Sequence, residues 1–288
     1  MVIGALEAGG TKMVCAIGDE KGHIYEQQSF PTLTPEETIP ALIDYFKDKD
    51  IELLGIGSFG PVDVNETSST YGYILDTPKT PWKNYDMVGV FEEALRVPVG
   101  IDTDVNGSCL GEVKNGQAKG LKSVVYITIG TGIGAGIYVN GGLVHGMLHP
   151  EAGHILINRQ PGDTTANCPY HKDCFEGVAA GPAIEKRWGK KAIELKDNME
   201  VWELESEYIA QALMNYILVL SPEKIILGGG VMHQRQLFPM IRTKVVDKLA
   251  GYINTSEIRD IDNYIVPASL GDDQGVIGAI YIGLNSVE

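Results

Sequence analysis

Residues 2–17 of the chain have the sequence VIGALEAGGTKMVCAI. Two short apolar runs flank Gly9-Gly10-Thr11-Lys12, and this pattern predicts a β-hairpin with a glycine-rich tip. The same plan returns in residues 123–139, where strand-like runs flank Gly130-Thr131-Gly132. The repeat indicates an internal duplication, and we expect both tips to face a shared cleft.

The segments between and after the two hairpins alternate between helical and strand patterns. Apolar spacing and capping residues predict helices at residues 34–49, 104–113, 202–220 and 272–284. Apolar runs predict strands at residues 53–58, 97–101 and 224–227. This alternation is typical of an α/β protein with mixed sheets covered on both faces. We predict two lobes, residues 1–115 and residues 116–288.

Composition narrows the class of protein. The chain has 288 residues, 44% of them hydrophobic, which is enough for a large core, and its formal charge is −15. That charge opposes binding to nucleic acid or to an anionic membrane surface. No stretch approaches the length of a membrane span, and no leader pattern is present, so we expect a cytoplasmic protein. Four cysteines are too few for a disulfide framework, and we interpret Cys15 and Cys109 as core residues.

Both glycine tips suit phosphate binding, because residues without Cβ let backbone N–H groups approach an anion. Each tip also has a Thr, and the first adds Lys12. Tight hairpin turns without a ligand are the alternative. No G-x-x-x-x-G-K-[ST] segment is present, so the sequence does not indicate a P-loop nucleotide-binding fold. The glycine loop of a dinucleotide-binding fold opens a helix, whereas a predicted strand and turn follow residues 130–136. The sequence therefore does not indicate that fold either.

Asp102, Asp104 and Asn106 lie where a predicted strand passes into a helix, an edge at which sites form in α/β proteins. Phosphoryl transfer requires a carboxylate that accepts the proton of the attacking hydroxyl, and Asp104 could act in this way. The alternative is an acidic residue that only caps the helix.

A second cluster of residues points to zinc. C-x-x-H-x-x-C spacing lets three ligands converge from one loop, and a preceding histidine completes a tetrahedral set of His154, Cys168, His171 and Cys174. Glu151 and Glu176 lie beside these ligands in the sequence. Their carboxylates could bind sugar hydroxyls or could support the metal ligands.

Together these motifs resemble the ROK family of sugar kinases, and in particular its bacterial fructokinase branch. The resemblance covers essentially the whole chain and implies a two-lobed actin/hexokinase-like (ribonuclease H-like) fold with a zinc-binding loop. It rests on the order and spacing of residues 7–12, 104–112, 128–136, 150–154, 168–176 and 227–232, together with Gly181-Pro182.

The resemblance also implies roles for residues. Asp104 is expected to take the proton from the sugar's 6-hydroxyl, while Thr11, Lys12 and Thr131 hold the ATP phosphates around Mg²⁺. The remaining nucleotide-binding residues are expected to be Gly9, Gly10, Gly130, Gly132, Gly181, Pro182, Gly228, Gly229, Gly230, Val231 and Met232. The sugar-binding residues are expected to be Gly60, Pro61, Thr103, Asn106, Glu151, His154 and Glu176. A cytoplasmic homodimer with no nucleic-acid or membrane partner is expected as well.

Three departures from the family pattern bear on the substrate. Glu7 stands where most members have Asp, Thr103 where glucose-specific members commonly have Asn, and the zinc loop has His171 in place of a third Cys. All three fit the fructokinase branch. A kinase for mannose, glucose or an N-acylmannosamine remains an alternative, as does a non-catalytic sugar sensor. A DNA-binding repressor is disfavoured by the charge and by the position of the first phosphate loop.

Overall fold

A computed structural model describes residues 1–287, which form two compact units. The first unit contains Met1–Gly120, Leu143–Pro150 and the chain from Ser269 onward, and the second contains Leu121–Gly142 and Glu151–Ala268. The predicted lobes were two continuous segments. The structure differs because a short internal segment and the last helix pack with the first unit.

A five-stranded sheet organises the first unit, with strand order β3-β2-β1-β4-β7. β1, β2 and β3 are antiparallel, while β1, β4 and β7 run parallel. β4 is buried at every position, as expected for a parallel strand covered on both faces. In chain order the strands are β1 (Ile3–Ala8), β2 (Lys12–Gly18), β3 (Ile24–Pro31), β4 (Leu53–Ser58), the separate pair β5 (Tyr73–Ile74) and β6 (Tyr85–Asp86), and β7 (Val99–Thr103).

Three helices follow strands of the first unit: α1 (Pro35–Lys47), α2 (Met87–Leu95) and α3 (Asp104–Lys114). α1 begins with a capping box between Thr34 and Glu37, which is a local signal for a helix start. Thr103 caps the start of α3, and its Oγ1 accepts a hydrogen bond from the Asn106 N–H at 3.1 Å. Asp104 is therefore the first helical residue after β7.

The second unit repeats the plan of the first sheet. Its strands β8 (Val124–Ile129), β9 (Ile133–Val139), β10 (Gly142–Leu143), β11 (Lys224–Gly228) and β12 (Ile265–Pro267) follow the order β10-β9-β8-β11-β12. The shared strand order confirms the internal duplication. The helices are α4 (Phe175–Ala179), α5 (Gly181–Trp188), α6 (Met199–Leu220), α7 (Leu237–Leu249), α8 (Ser256–Arg259) and α9 (Ile261–Tyr264).

The last helix, α10 (Gln274–Asn285), packs against α3 and the first sheet at short backbone-to-backbone distances. A Cβ at Gly278 would lie 1.7 Å from the Gly107 carbonyl oxygen, and one at Gly55 would lie 1.8 Å from the Ala279 carbonyl oxygen. Only glycine permits this approach. It accounts for the grouping of α10 with the first unit.

Cys15 and Cys109 are fully buried among apolar side chains, which confirms their interpretation as core residues. Within residues 1–287, none of the helices combines the length and the apolar character needed to cross a bilayer.

Candidate active site

The first glycine tip joins β1 to β2 and is held by side chains from elsewhere in its unit. Thr32 donates its hydroxyl to the Gly9 carbonyl oxygen at 2.8 Å, and the Lys79 ammonium donates to the Gly10 carbonyl oxygen. A Cβ at Gly9 would lie 2.6 Å from the Lys12 carbonyl oxygen, so the turn is too tight for another residue. The tip backbone is therefore fixed in one arrangement, as a phosphate-binding loop requires.

Two carboxyl groups with raised pKa values lie beside this tip. Burial raises the pKa of Asp104 to about 6, although a 2.8 Å hydrogen bond from the Val105 N–H works in the opposite direction. Burial, followed by the nearby charge of Asp104, raises the pKa of Glu7 to about 7, against the lowering effect of Lys12. A carboxyl group whose pKa is close to neutral is well suited to general base catalysis.

Asp102 connects the residues of the turn before α3. Its Oδ1 accepts hydrogen bonds from the Thr103 N–H and from the Asn106 side-chain amide, both at 2.7 Å. Its Oδ2 lies 2.8 Å from Nε2 of His145. Thr103 and Asn106 are 3% and 1% exposed, so the structure shows them stabilising the turn, and their contact with a sugar stays a prediction.

Sequence reasoning placed Asp102 near the site but missed its partner His145. The prediction ended the strand at residue 101, whereas β7 continues to Thr103 and so includes Asp102. Nothing in the sequence around His145 signals the pairing, because the two residues are 43 positions apart and only the fold brings them together.

A second histidine of the same segment, His149, contacts the predicted sugar-binding pair Gly60-Pro61. Its Nε2 accepts a hydrogen bond from the Val62 N–H at 3.2 Å, and a Cβ at Gly60 would lie 3.4 Å from the ring. Burial lowers the pKa of His149, which favours the neutral ring that this hydrogen bond requires.

The second glycine tip, between β8 and β9, is held mainly by backbone. The Gly130 N–H donates to the Gly132 carbonyl oxygen at 2.9 Å, and the Gly181 N–H donates to the Gly130 carbonyl oxygen at 2.8 Å. Glu176 accepts a hydrogen bond from the Ile133 N–H at 2.9 Å. The predicted phosphate loop, the start of α5 and a predicted sugar-binding carboxylate are therefore neighbours.

The glycines that follow β11 reach the same place. Gly229 has a positive φ of 87°, and a Cβ there would lie 2.5 Å from the Ile129 carbonyl oxygen. The position of a Cβ on Gly130 is 3.9 Å from the Gly230 nitrogen. Val231 and Met232 point into the core, at 3% and 2% exposed. Three of the segments predicted to bind nucleotide thus converge within the second unit.

The predicted zinc ligands also converge. One ligand atom from each of His154, Cys168, His171 and Cys174 lies within 4.8 Å of all the others. Nδ1 of His154 is 3.8 Å from Cys168 Sγ and 3.7 Å from Cys174 Sγ, and Nδ1 of His171 is 3.7 Å from Cys168 Sγ. Zinc bond lengths of about 2.1 and 2.3 Å separate N and S ligands of a tetrahedron by roughly 3.6 Å. The spacing matches a zinc site.

Backbone groups around the cluster and the outer ring nitrogen of His154 complete this region. The N–H groups of Tyr170 and His171 lie 3.4 Å from Cys168 Sγ, and the Gly177 N–H lies 3.3 Å from Cys174 Sγ. Such donors stabilise thiolates. Nε2 of His154 lies 3.9 Å from Glu176, away from the sulfur atoms.

Two sheets with the same strand order, each with a glycine hairpin, are typical of the actin/hexokinase-like fold. The sequence profile of the ROK family matches residues 3–285, and the chain belongs to that family. It is therefore an ATP-dependent sugar kinase by family.

Individual relatives narrow the comparison. The chain is 53% identical to a putative fructokinase of Bacillus subtilis, over 100% of this chain and 97% of the relative. It is 47% identical to a fructokinase of Pediococcus pentosaceus, over 98% and 97%. Three more relatives named fructokinase are 39–45% identical, whereas relatives named glucokinase are 26–27% identical. Its fold is similar to that of a ROK hexokinase from Thermus thermophilus, with a TM-score of 0.83, 24% identity and coverage of 100% and 99%.

Proposed function

We propose that this kinase transfers the γ-phosphoryl group of ATP to the 6-hydroxyl of D-fructose and produces D-fructose 6-phosphate and ADP. The observation that carries the proposal is full-length similarity: relatives named fructokinase are 39–53% identical, well above the relatives named glucokinase. Thr103, in place of the Asn of glucose-specific members, fits the same choice of substrate.

Asp104 is the proposed base. Its carboxylate accepts the proton of the 6-hydroxyl while that oxygen bonds to the γ-phosphorus and the bond to the ADP oxygen breaks. Support comes from its position at the first residue of α3 and from the burial that raises its pKa to about 6. At pH 7 the group is mostly ionised and basic enough to accept the proton.

The glycine tips are the proposed phosphate-binding loops. Thr11, Lys12 and Thr131 would hold the phosphates around Mg²⁺, which neutralises phosphate charge when it is bound with ATP. The carboxylate of Glu7, near the first tip, is an oxygen donor of the kind Mg²⁺ prefers. In the second unit, Gly181-Pro182 and residues 228–232 would contact the adenosine.

We propose that the four-residue His/Cys cluster holds zinc in a structural role. The donor set and its spacing fit the ion, and the surrounding N–H groups suit thiolate ligands. Bound zinc would fix the ring of His154, leaving Nε2 on the side of Glu176 available for a sugar hydroxyl. Glu151, Glu176 and the Gly60-Pro61 pair are the other proposed sugar contacts.

The test is an ADP-release assay with ATP and Mg²⁺ on fructose, mannose, glucose and N-acetylmannosamine. Turnover is expected to be fastest on fructose. The substitution Asp104→Asn keeps the size of the side chain but removes the base, so kcat is expected to fall at least about 100-fold. Faster turnover on another sugar would contradict fructose as the substrate, and no turnover on any sugar would favour a sensor.

A matched control separates a base from a helix cap. Asp86 precedes α2 and accepts a 2.7 Å hydrogen bond from the Gly89 N–H. Asp86→Asn makes the same chemical change at another helix start. Because Asn and Asp cap helices about equally well, it is expected to cost only about 0.3 kcal/mol of stability, while kcat stays within about twofold. Equal losses of kcat in the two variants would assign Asp104 a capping role only.

We also propose a homodimer, as the family resemblance implies. Sedimentation equilibrium of the full chain tests it, and a mass of 31.2 kDa at all concentrations would contradict it.

A further inference from the structure

The buried carboxylate of Asp102 and its partner His145 lie outside the residues assigned so far to substrate or nucleotide. We propose that His145 is a positioning residue, which acts through Asp102 to fix the turn that presents Asp104. The proposal rests on the proposed function, because it takes Asp104 as the base.

Asp102 forms hydrogen bonds to the residues of the turn before α3. It is 4% exposed, and its Oδ1 accepts from the Thr103 N–H and the Asn106 side-chain amide, both at 2.7 Å. These two donors lie on either side of Asp104 in the sequence. The orientation of a single carboxylate therefore sets the backbone from which the base projects.

The second carboxylate oxygen explains the need for His145. A buried carboxylate is costly unless it is paired, and Oδ2 lies 2.8 Å from Nε2 of His145. The hydrogen bond to Asp102 raises the pKa of His145 against the lowering effect of burial, and the charge of Glu66 also raises it. Beside it, the ring of His149 has a lowered pKa and so favours its neutral form, which adds no competing cation. The ring of His145 donates to Asp102 in its protonated form and in one neutral tautomer.

The position of His145 in the chain adds a second consequence. The segment Leu143–Pro150 belongs to the first unit, although the residues before and after it belong to the second. His145 holds this segment to Asp102, and His149 holds it to the Val62 N–H. The chain then continues directly into Glu151, a proposed sugar ligand. The same histidine is thus placed to affect sugar binding as well as turnover.

The experiment compares His145→Ala with His145→Gln in the full chain by steady-state kinetics. For the alanine variant, kcat/KM for the hexose is expected to fall about tenfold, with a raised hexose KM and a reduced kcat. The KM for ATP is expected to stay within twofold. Gln supplies a neutral donor to Asp102 and is expected to restore kcat/KM to within about threefold of wild type.

His23→Ala is the matched control, because Nδ1 of His23 lies 3.1 Å from Asp19 in the same unit. It is expected to leave all kinetic parameters within twofold. Three results would overturn the inference: an unchanged hexose kcat/KM in His145→Ala, a loss confined to kcat with a fall in Tm, or a Gln variant as impaired as the Ala variant.

Wild type is assayed first, so that the two proposals fail separately. If another hexose is preferred, fructose as the substrate is rejected, and the variants are measured on that hexose with the same criteria. If no hexose is phosphorylated, both proposals are rejected.

Discussion

The two glycine hairpins share one scaffold but are held in different ways. Each opens a five-stranded sheet with the same order of strands. In the first tip, the side chains of Thr32 and Lys79 hold the glycine carbonyl groups. In the second, the backbone of Gly181 and the carboxylate of Glu176 hold the turn.

The difference shows how a duplicated sheet acquires two kinds of chemistry. The first tip lies beside two carboxyl groups whose pKa values are raised toward neutrality, Glu7 and Asp104. The second is tied through Glu176 to the region of the His/Cys cluster, where Nε2 of His154 lies 3.9 Å from Glu176. The two sheets hold the tips at equivalent positions, and the polar side chains beside each tip differ.

The largest expected effect is a pH dependence of turnover that is set by the carboxyl groups beside the first tip. Asp104 must be ionised to accept a proton, so kcat/KM is expected to rise with pH through about 6 and to lose about tenfold per pH unit below that value. Glu7, with a pKa of about 7, broadens the rise. A pH series of initial rates with fructose measures the profile.

Two variants sharpen this profile. Asp104→Asn is expected to remove the acid limb along with most activity, and Glu7→Gln is expected to leave a single step near pH 6. A wild-type profile that is flat between pH 5 and 7 would contradict the assignment of the base.

The next effect tests the dependence of the second hairpin on metal. Cys174→Ser replaces a proposed zinc ligand and is expected to lower zinc content below half an ion per chain and activity about 100-fold. Elemental analysis and the kinase assay measure both. Cys109→Ala, at a fully buried cysteine of the first unit, is the control and should retain zinc. Full zinc content in the serine variant would contradict the proposal that Cys174 binds zinc.

A smaller effect compares the tightness of the two turns. Alanine at Gly9 would place Cβ 2.6 Å from a backbone oxygen, so Gly9→Ala is expected to cost about 2 kcal/mol of stability. At Gly130 the nearest atom is 3.9 Å away, and Gly130→Ala is expected to cost under about 0.5 kcal/mol. Urea unfolding measures both values. Equal losses would show that the two tips are held equally tightly.

The smallest expected effect concerns Lys79, whose ammonium binds the Gly10 carbonyl oxygen and lies 5.8 Å from the centre of the Phe59 ring. Lys79→Met removes the charge but keeps the length of the side chain. A loss of about 1 kcal/mol is expected, with a modest rise in the KM for ATP. Lys83→Met, at an exposed surface ion pair, should change neither quantity.

Sequence patterns predicted the elements in which apolar periodicity and caps agree. The strand at residues 53–58 has the predicted bounds, and α1 lies inside the predicted helix. β3 was not predicted because its side chains are mostly exposed and polar, so the sequence has no apolar run or alternation there. The strand is recognised in the structure by its pairing with β2. The His/Cys cluster was predicted correctly because three of its four residues share one short loop.

Long-range pairs could not be predicted in the same way. Asp102 and His145 are in contact because the segment Leu143–Pro150 belongs to the first unit, although the residues before and after it belong to the second. Nor does the sequence show that Thr103 and Asn106 are buried in the turn before α3. Sequence motifs identify candidate site residues, whereas the residues that orient them are brought close only by the tertiary structure.

The close contact of α10 with α3 has a consequence for the order in which the protein is made. The ribosome produces α3, with Asp104 at its first turn, before the whole of the second unit, and produces α10 only afterwards. Until that helix emerges, the glycine face of α3 around Gly107 has no backbone to rest against. The first unit, which carries the proposed base Asp104, is therefore the last of the two to have all of its residues synthesised.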